Sequence, residues 1–283
     1  MAQPISTALV GLTSEPQPVS WSEKDVQLYA LAVGCKPEGE LEFLYEARGP
    51  KVLPSFSVIS GLNIMGGVMA QVQFNLAMLL HGEQKITLHR ALPPRGTATG
   101  VGKIVEVWDK GKAAVIGVQC DVSDEQGPLF TTHATLFIRG AGGFGGERGP
   151  SSESTAVQIP DRPADQVIED VTRPEQAALY RLTGDRNPIH IDPDFARFGG
   201  FERPFLHGLC TYGFATRAAL KGLCGGDPAR FVEMSARFSD QVYPGDSIVT
   251  RIWDEGGGNA LMQVETQKGN VVLNQCRVKY HPA

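Results

Sequence analysis

The feature that most constrains this chain is that it repeats itself. Gly96 in LPPRGTATG has a counterpart in Gly245 of VYPGDS, an offset of 149 (245 − 96), and Trp108-Asp109 is matched by Trp253-Asp254 at 145 (253 − 108). Each half also carries Leu-His-Gly, at Leu80-His81-Gly82 and Leu206-His207-Gly208, but here the offset is only 126 (207 − 81), so the first half should hold extra residues before that point. Between the copies, Gly140 to Thr155 is rich in Gly, Ser and Pro and lacks periodic apolar residues, as a linker does. The expected division is a first half over residues 1–140, a linker over 141–163 and a second half over 164–283. A duplicated domain restricts the fold to one that a single copy can build and a second copy can complete.

Element order within a copy narrows this further. Near the start of each half a short helix is expected. Ser22 with Asp25 caps the first, and Thr172 with Glu175, with Pro174 in the first turn, caps the second. A long apolar helix follows, over Ile64–Leu80 in the first half and Gly208–Leu220 in the second. Three strand-like runs come next: Lys103–Asp109, Ala113–Asp121 and Phe130–Arg139, then Ser247–Trp253, Ala260–Thr266 and Val271–Tyr280. Alternation in LFTTHATLFIRG and VVLNQCRVKY suits half-buried antiparallel strands. A helix followed by antiparallel strands is an α+β unit with the sheet wrapped on the helix, and two such units can pair edge to edge.

Composition excludes several classes. Lys+Arg 26 against Asp+Glu 31 gives a net charge of −5, without the basic excess of a nucleic-acid binder. No stretch approaches the roughly 18 apolar residues of a membrane span. No secretion signal is read in MAQPISTALVGLTSEPQ, and VKYHPA is not a peroxisomal address. Cys35, Cys120, Cys210, Cys224 and Cys276 are odd in number and widely spaced, which suits small reduced core residues rather than disulfides.

The densest polar segment is YRLTGDRNPIHIDPDFARFGGFERPFLHG, Tyr180 to Gly208. Gly184 can end the preceding helix, and Pro188 disfavours helical geometry at Asn187, so an ordered loop should bring Asp185 and His190 together. A carboxylate and an imidazole converging on one water form an acid–base pair. Immediately after, Gly208 opens the apolar helix, whose first N–H groups lack internal partners and carry the positive end of the dipole. Such a terminus suits a developing oxyanion. Together these point to addition or elimination of water next to a carbonyl. No metal is expected, because the H-x-H and H-x-x-x-H spacings are absent; His207 packs at the helix entry or acts in the site. Gly140-Ala-Gly142-Gly-Phe-Gly145 fits a dinucleotide motif, but no helix opens after it, and no G-x-S-x-G elbow is present.

The segment YRLTGDRNPIHIDPDFARFGGFERPFLHGLCTYGFATRAAL, with LLHGEQ (Leu79–Gln84) and Asp109-Lys110-Gly111 in the first half, resembles the type 2, R-specific enoyl-CoA hydratases of the MaoC-like group. The resemblance spans nearly the whole chain and implies a double hot dog fold, two helix-wrapped antiparallel sheets side by side. It implies reversible hydration of a trans-2-enoyl-CoA to an (R)-3-hydroxyacyl-CoA without a cofactor. By motif, Asp185 and His190 become the catalytic pair, Asn187 helps hold the water, and the Gly208 N–H meets the thioester oxygen. Substrate contacts map to His81, Gly82, Lys110 and Phe238, the last at the start of a strand. The first half, lacking Asp-x-x-x-x-His, would make room for the acyl tail. A homodimer and a bacterial cytoplasmic enzyme are expected, with a peroxisomal one left open. The same fold also hosts thioesterases, the alternative reading; a binding subunit with a dead site is disfavoured because both members of the pair are present.

Overall fold

The computed structural model describes residues 2–151 and 156–283; the last four positions of the Gly140–Thr155 run lie outside the described residues. The first half comprises strand β1 (Gln17–Trp21), helix α1 (Glu23–Ala32), helix α2 (Ser57–Met69) and strands β2 (Leu79–Leu88), β3 (Gly96–Asp109), β4 (Ala113–Asp124) and β5 (Gly127–Arg139). The second comprises β6 (Gln166–Val171), α3 (Gln176–Tyr180), α4 (Pro193–Phe198), α5 (Gly208–Cys224), β7 (Phe231–Phe238), β8 (Ser247–Gly256), β9 (Asn259–Thr266) and β10 (Val271–Tyr280).

These ten strands form one sheet in the order β1-β3-β4-β5-β2-β7-β10-β9-β8-β6, and apart from it Gln3–Pro4 pairs in parallel with Val72–Gln73. Counted outward from the β2–β7 seam, the two halves run in the same order, which is the duplication written in topology. The seam is antiparallel, with Glu83 opposite Arg237 and Thr87 opposite Glu233. Lys85 and Lys279 both pair with Glu233, at 2.9 and 3.2 Å, so charge crosses the seam as well. Helix α2 lies on β3, β4 and β5, and α5 on β7, β8 and β10, so each sheet wraps its own helix in the α+β double hot dog arrangement. Helix α5 is buried on nearly every side, including Tyr212, Phe214, Ala215 and Ala219, as a core helix must be when sheet and loops enclose it.

Local expectations divide. At α1 the capping box forms: the backbone N–H and hydroxyl of Ser22 donate to the Asp25 carboxylate at 2.8 and 2.6 Å. At α3 it does not. The Thr172 hydroxyl donates to the carbonyl of Asp246 at 2.7 Å and accepts from Gly245 N–H at 2.9 Å, so it ties the chain to the β7–β8 connection instead of capping. The six strand runs are present, longer than expected in the first half. Strands β1, β2, β6 and β7 went unread, and Phe238 ends its strand rather than starting it.

The largest correction concerns Ile64–Leu80. Helix α2 begins at Ser57 and stops at Met69, and Leu79–Leu88 is strand β2. Asn75 turns the chain between them, its side chain accepting from Ala77 N–H at 3.0 Å. A short apolar run does not by itself distinguish helix from strand. It follows that the two Leu-His-Gly motifs are not counterparts: His81 sits in a strand, and His207 precedes a helix. The first residues of the paired helices are Ser57 and Gly208, an offset of 151 (208 − 57) that agrees with 149 and 145.

The linker packs onto the β3–β4 turn. Gly143 and Gly145 N–H groups donate to the Asp109 carboxylate at 2.8 Å each, as does Gly111 N–H. The G-x-G-x-x-G run thus cradles a carboxylate of its own chain. Those N–H groups, Gly143 first, hold the Asp109 carboxyl down at about 2. All five cysteines are buried and free, and among the described residues no helix is long and apolar enough to cross a membrane.

Candidate active site

The polar loop of the second half leaves helical geometry where glycine and proline require it. Gly184 has φ +145°, open to glycine, and Asn187 sits at φ −54°, ψ 121° before Pro188. Asp185 accepts from Asn187 N–H at 3.2 Å, and the Asn187 side chain accepts from Ile189 N–H at 3.2 Å. These two turns place the Asp185 carboxylate and the His190 imidazole on the same side of the loop. The His190 Nδ1–H donates to the carbonyl of Phe205 at 3.0 Å. Because a carbonyl only accepts, the proton lies on Nδ1 and Nε2 carries the lone pair.

Burial lowers the His190 pKa below the ordinary histidine value, and Asp185 opposes that shift by favouring the charged ring. His190 is therefore neutral near pH 7, with Nε2 free to take a proton. Ligand atoms of Asp185, His190 and His207 lie within 4.8 Å of one another, the proximity a cation site needs. The two imidazoles, however, stack with centroids 3.9 Å apart rather than splaying around a common point.

In front lies a cavity of about 880 Å³. Asp185, Asn187, His190, Gly208, His81, Gly82 and Phe238 all line it, so seven of the eight residues singled out in the sequence converge. Gly208 is the first residue of α5, where its N–H has no acceptor within the helix. A Cβ added to Gly208 would stand 3.1 Å from the Phe238 ring. His81 meets Phe238 edge to face at 5.1 Å, and its Nε2–H donates to the Glu83 carbonyl at 3.1 Å. Burial pushes the His81 pKa down to about 4. Gly82 is the extra residue of a bulge, since His81 pairs with Leu136 and Glu83 with Thr135, and the bulge re-aims His81.

Lys110 is the exception. It does not line the cavity; its Nζ donates to the carbonyl of Pro150 at 2.9 Å and helps fasten the linker. The sequence did not reveal the apolar end of the cavity, formed by Leu62, Met65, Gly66, Met69, Phe74 and Leu76 of the first half. Its signal was present in the apolar face of α2 but was hidden by the mistaken helix end. Arg237 and Asp240, which also line the cavity, were likewise unread, lying more than 40 positions beyond His190.

Residues 19–140 match the MFE-2 hydratase 2 N-terminal domain, and residues 155–275 match the MaoC-like domain. A probable enoyl-CoA hydratase 2 of Dictyostelium discoideum is 40% identical over 270 residues, covering 92% of this chain and 91% of the relative. The 3-hydroxyacyl-thioester dehydratase Y of Mycobacterium tuberculosis is 41% identical over 286 residues, covering 96% and 97%. Among solved structures, a MaoC-like dehydratase from Phytophthora capsici superimposes with a TM-score of 0.85 at 34% identity, covering 98% of each chain. With both halves matched in order and relatives of this identity aligned almost end to end, the chain belongs to the MaoC-like family of type 2, R-specific enoyl-CoA hydratases.

Proposed function

We propose that the protein reversibly hydrates trans-2-enoyl-CoA thioesters to (R)-3-hydroxyacyl-CoA, with Asp185 and His190 acting on one water. The observation that carries the mechanism is the neutral His190 Nε2 beside the Asp185 carboxylate, in the same cavity as the N-terminus of α5. The thioester oxygen lies at the Gly208 N–H, and the water is held between Asp185 and His190, with the Asn187 amide nitrogen alongside. The pair takes a proton from this water as its oxygen bonds to the β carbon. Charge moves onto the thioester oxygen, where a preorganised N–H and the helix dipole stabilise it. Return of a proton to the α carbon completes addition, so one water supplies both hydroxyl and hydrogen. The relatives and both family matches favour this over thioester hydrolysis.

The acyl tail extends toward the first half, where the catalytic pair has no counterpart and the cavity wall is apolar. Asp185→Asn and His190→Ala should each lower turnover of crotonyl-CoA and longer enoyl-CoA substrates by about 10²-fold or more. Loss of the ultraviolet enoyl absorbance measures hydration, release of free thiol measures hydrolysis, and chiral analysis of the product checks the R hand. Turnover near that of the unmodified enzyme in either variant would refute the assignment.

A further inference from the structure

Behind the catalytic pair, rings from both halves stand in one file. His190 stacks on His207 at 3.9 Å with planes 33° from parallel, and His207 lies 4.9 Å from Tyr180. Tyr180 is 6.1 Å from Tyr29, and Tyr29 is 5.6 Å from Phe56. Tyr29 belongs to α1 and Phe56 immediately precedes α2, so the file runs from the catalytic loop into the first half. Gly213 of α5 lets the end of α1 pack closely, because a Cβ there would stand 2.4 Å from Val33 Cγ1 and 3.0 Å from the Tyr29 hydroxyl.

His207 touches both members of the pair from behind. It is 0% exposed, and its Nε2–H donates to the backbone carbonyl of Asp185 at 3.1 Å while its ring face covers His190. The hydroxyls of Ser55 and Tyr180 stand next to that of Tyr29. These three hydroxyls have only one another as neighbours for hydrogen bonding, and His207 Nδ1 is buried without a partner. Leaving a buried Nδ1 unpaired costs about 1–3 kcal/mol, so an apolar side chain in place of His207 would pack this space more stably. The imidazole at 207 instead keeps its bond to the Asp185 carbonyl and its stack on His190.

We propose that His207 is a positioning residue, holding Asp185 through its hydrogen bond and His190 through its ring face, and that Tyr180 of its own half and Tyr29 of the first half brace it. The half without a catalytic pair thereby shapes the chemistry of the other. This rests on the reading of Asp185 and His190 as the acid–base pair. The charged and titratable groups around His190 are Asp185 in its own loop and His207 at the entry to α5, with Arg181 acting on His207 from the turn after α3. Across the cavity stand His81, Arg237 and Asp240.

Two variants separate the two contacts. His207→Gln keeps a side-chain N–H donor and removes the ring; His207→Phe keeps a ring and removes the donor. The His190 titration is followed by NMR in the substrate-free protein, beside thermal melts, kcat, KM and the pH profile of kcat/KM. In His207→Gln, water reaches the His190 face, its pKa rises toward the ordinary value of about 6.5, and the acid limb of kcat/KM moves up with it. In His207→Phe the limb stays low, while kcat falls about tenfold with KM within about twofold. Tyr29→Leu, far from the cavity, lowers kcat several-fold at unchanged KM and reports on the brace even if both His207 variants fail to fold. An unmoved His190 titration in folded His207→Gln, or an unchanged kcat in folded His207→Phe or Tyr29→Leu, overturns the proposal. Because NMR needs no turnover, a failure of the hydratase reading, seen as full activity in Asp185→Asn, is distinguishable from a failure of this one.

Discussion

A neutral imidazole that must accept a proton works only above its own pKa. Since burial holds His190 below the ordinary histidine value, kcat/KM should stay level through pH 6.5 and fall only as pH drops through the lowered His190 pKa. A pH profile with its acid limb at or above 6.5 would contradict the buried, neutral ring. Stability has the opposite side of this linkage. His207 is pushed down to about 2, by burial first and then by His190, so below pH 6.5 the unfolded chain binds a proton that the folded chain refuses. Each pH unit below that point costs about 1.4 kcal/mol from this residue alone. Urea unfolding at pH 7, 6 and 5 should show stability declining, and His207→Phe should flatten the slope. At this scale the convergence of Asp185 and His190 was legible because Gly184, Asn187 and Pro188 dictate the local turn on which both lie. Lys110 was not, because its partner is a linker carbonyl 40 positions away, and no local pattern encodes that path.

Elements were legible where periodicity and caps agree, as at α1 and the six strand runs. They were misread where an apolar run changes from helix to strand without a glycine or proline to mark the change. Helix α2 and strand β2 are joined by residues 70–78, and the apolar count alone ran them together. The correct boundary has a consequence for substrate choice. Gly66 sits on α2, lines the cavity, and has open space where its Cβ would be, with nothing within 4 Å. A side chain there fills the tail end of the cavity without striking backbone. Gly66→Leu should therefore cut turnover of long-chain enoyl-CoA about tenfold or more while leaving crotonyl-CoA within about threefold. Replacing a helical glycine should also leave stability unchanged or raise it by up to about 1 kcal/mol. A parallel loss on short and long substrates would show that the tail does not pass Gly66.

At the scale of the molecule, two devices make one body of two copies: the β2–β7 seam and a buried charge cluster. Arg217 of α5 forms two hydrogen bonds to Asp170 of β6, at 2.8 and 3.1 Å. From the same guanidinium it reaches Glu40 and the Val33 carbonyl, both in the first half. The three side chains are 10, 11 and 17% exposed, so their charges are largely withdrawn from water. Such a cluster is weak as a source of net stability but severe when broken, because each unpaired carboxylate remains buried. Arg217→Ala should cost about 3–5 kcal/mol, measured by denaturant unfolding. Arg217→Met combined with Asp170→Asn and Glu40→Gln should cost clearly less, since no charge is stranded. Lys in place of Arg217 should fall between, keeping the charge and losing the planar fork. Because Arg217 lies outside the cavity lining, KM should be retained in every variant below its melting temperature. Arg217→Ala within about 1 kcal/mol of the parent would mean that the cluster does not help hold the halves together. The duplication was visible in the offsets of Gly96 and Trp108, but this cluster was not, because Glu40, Asp170 and Arg217 have no counterpart spacing and meet only once both copies have folded.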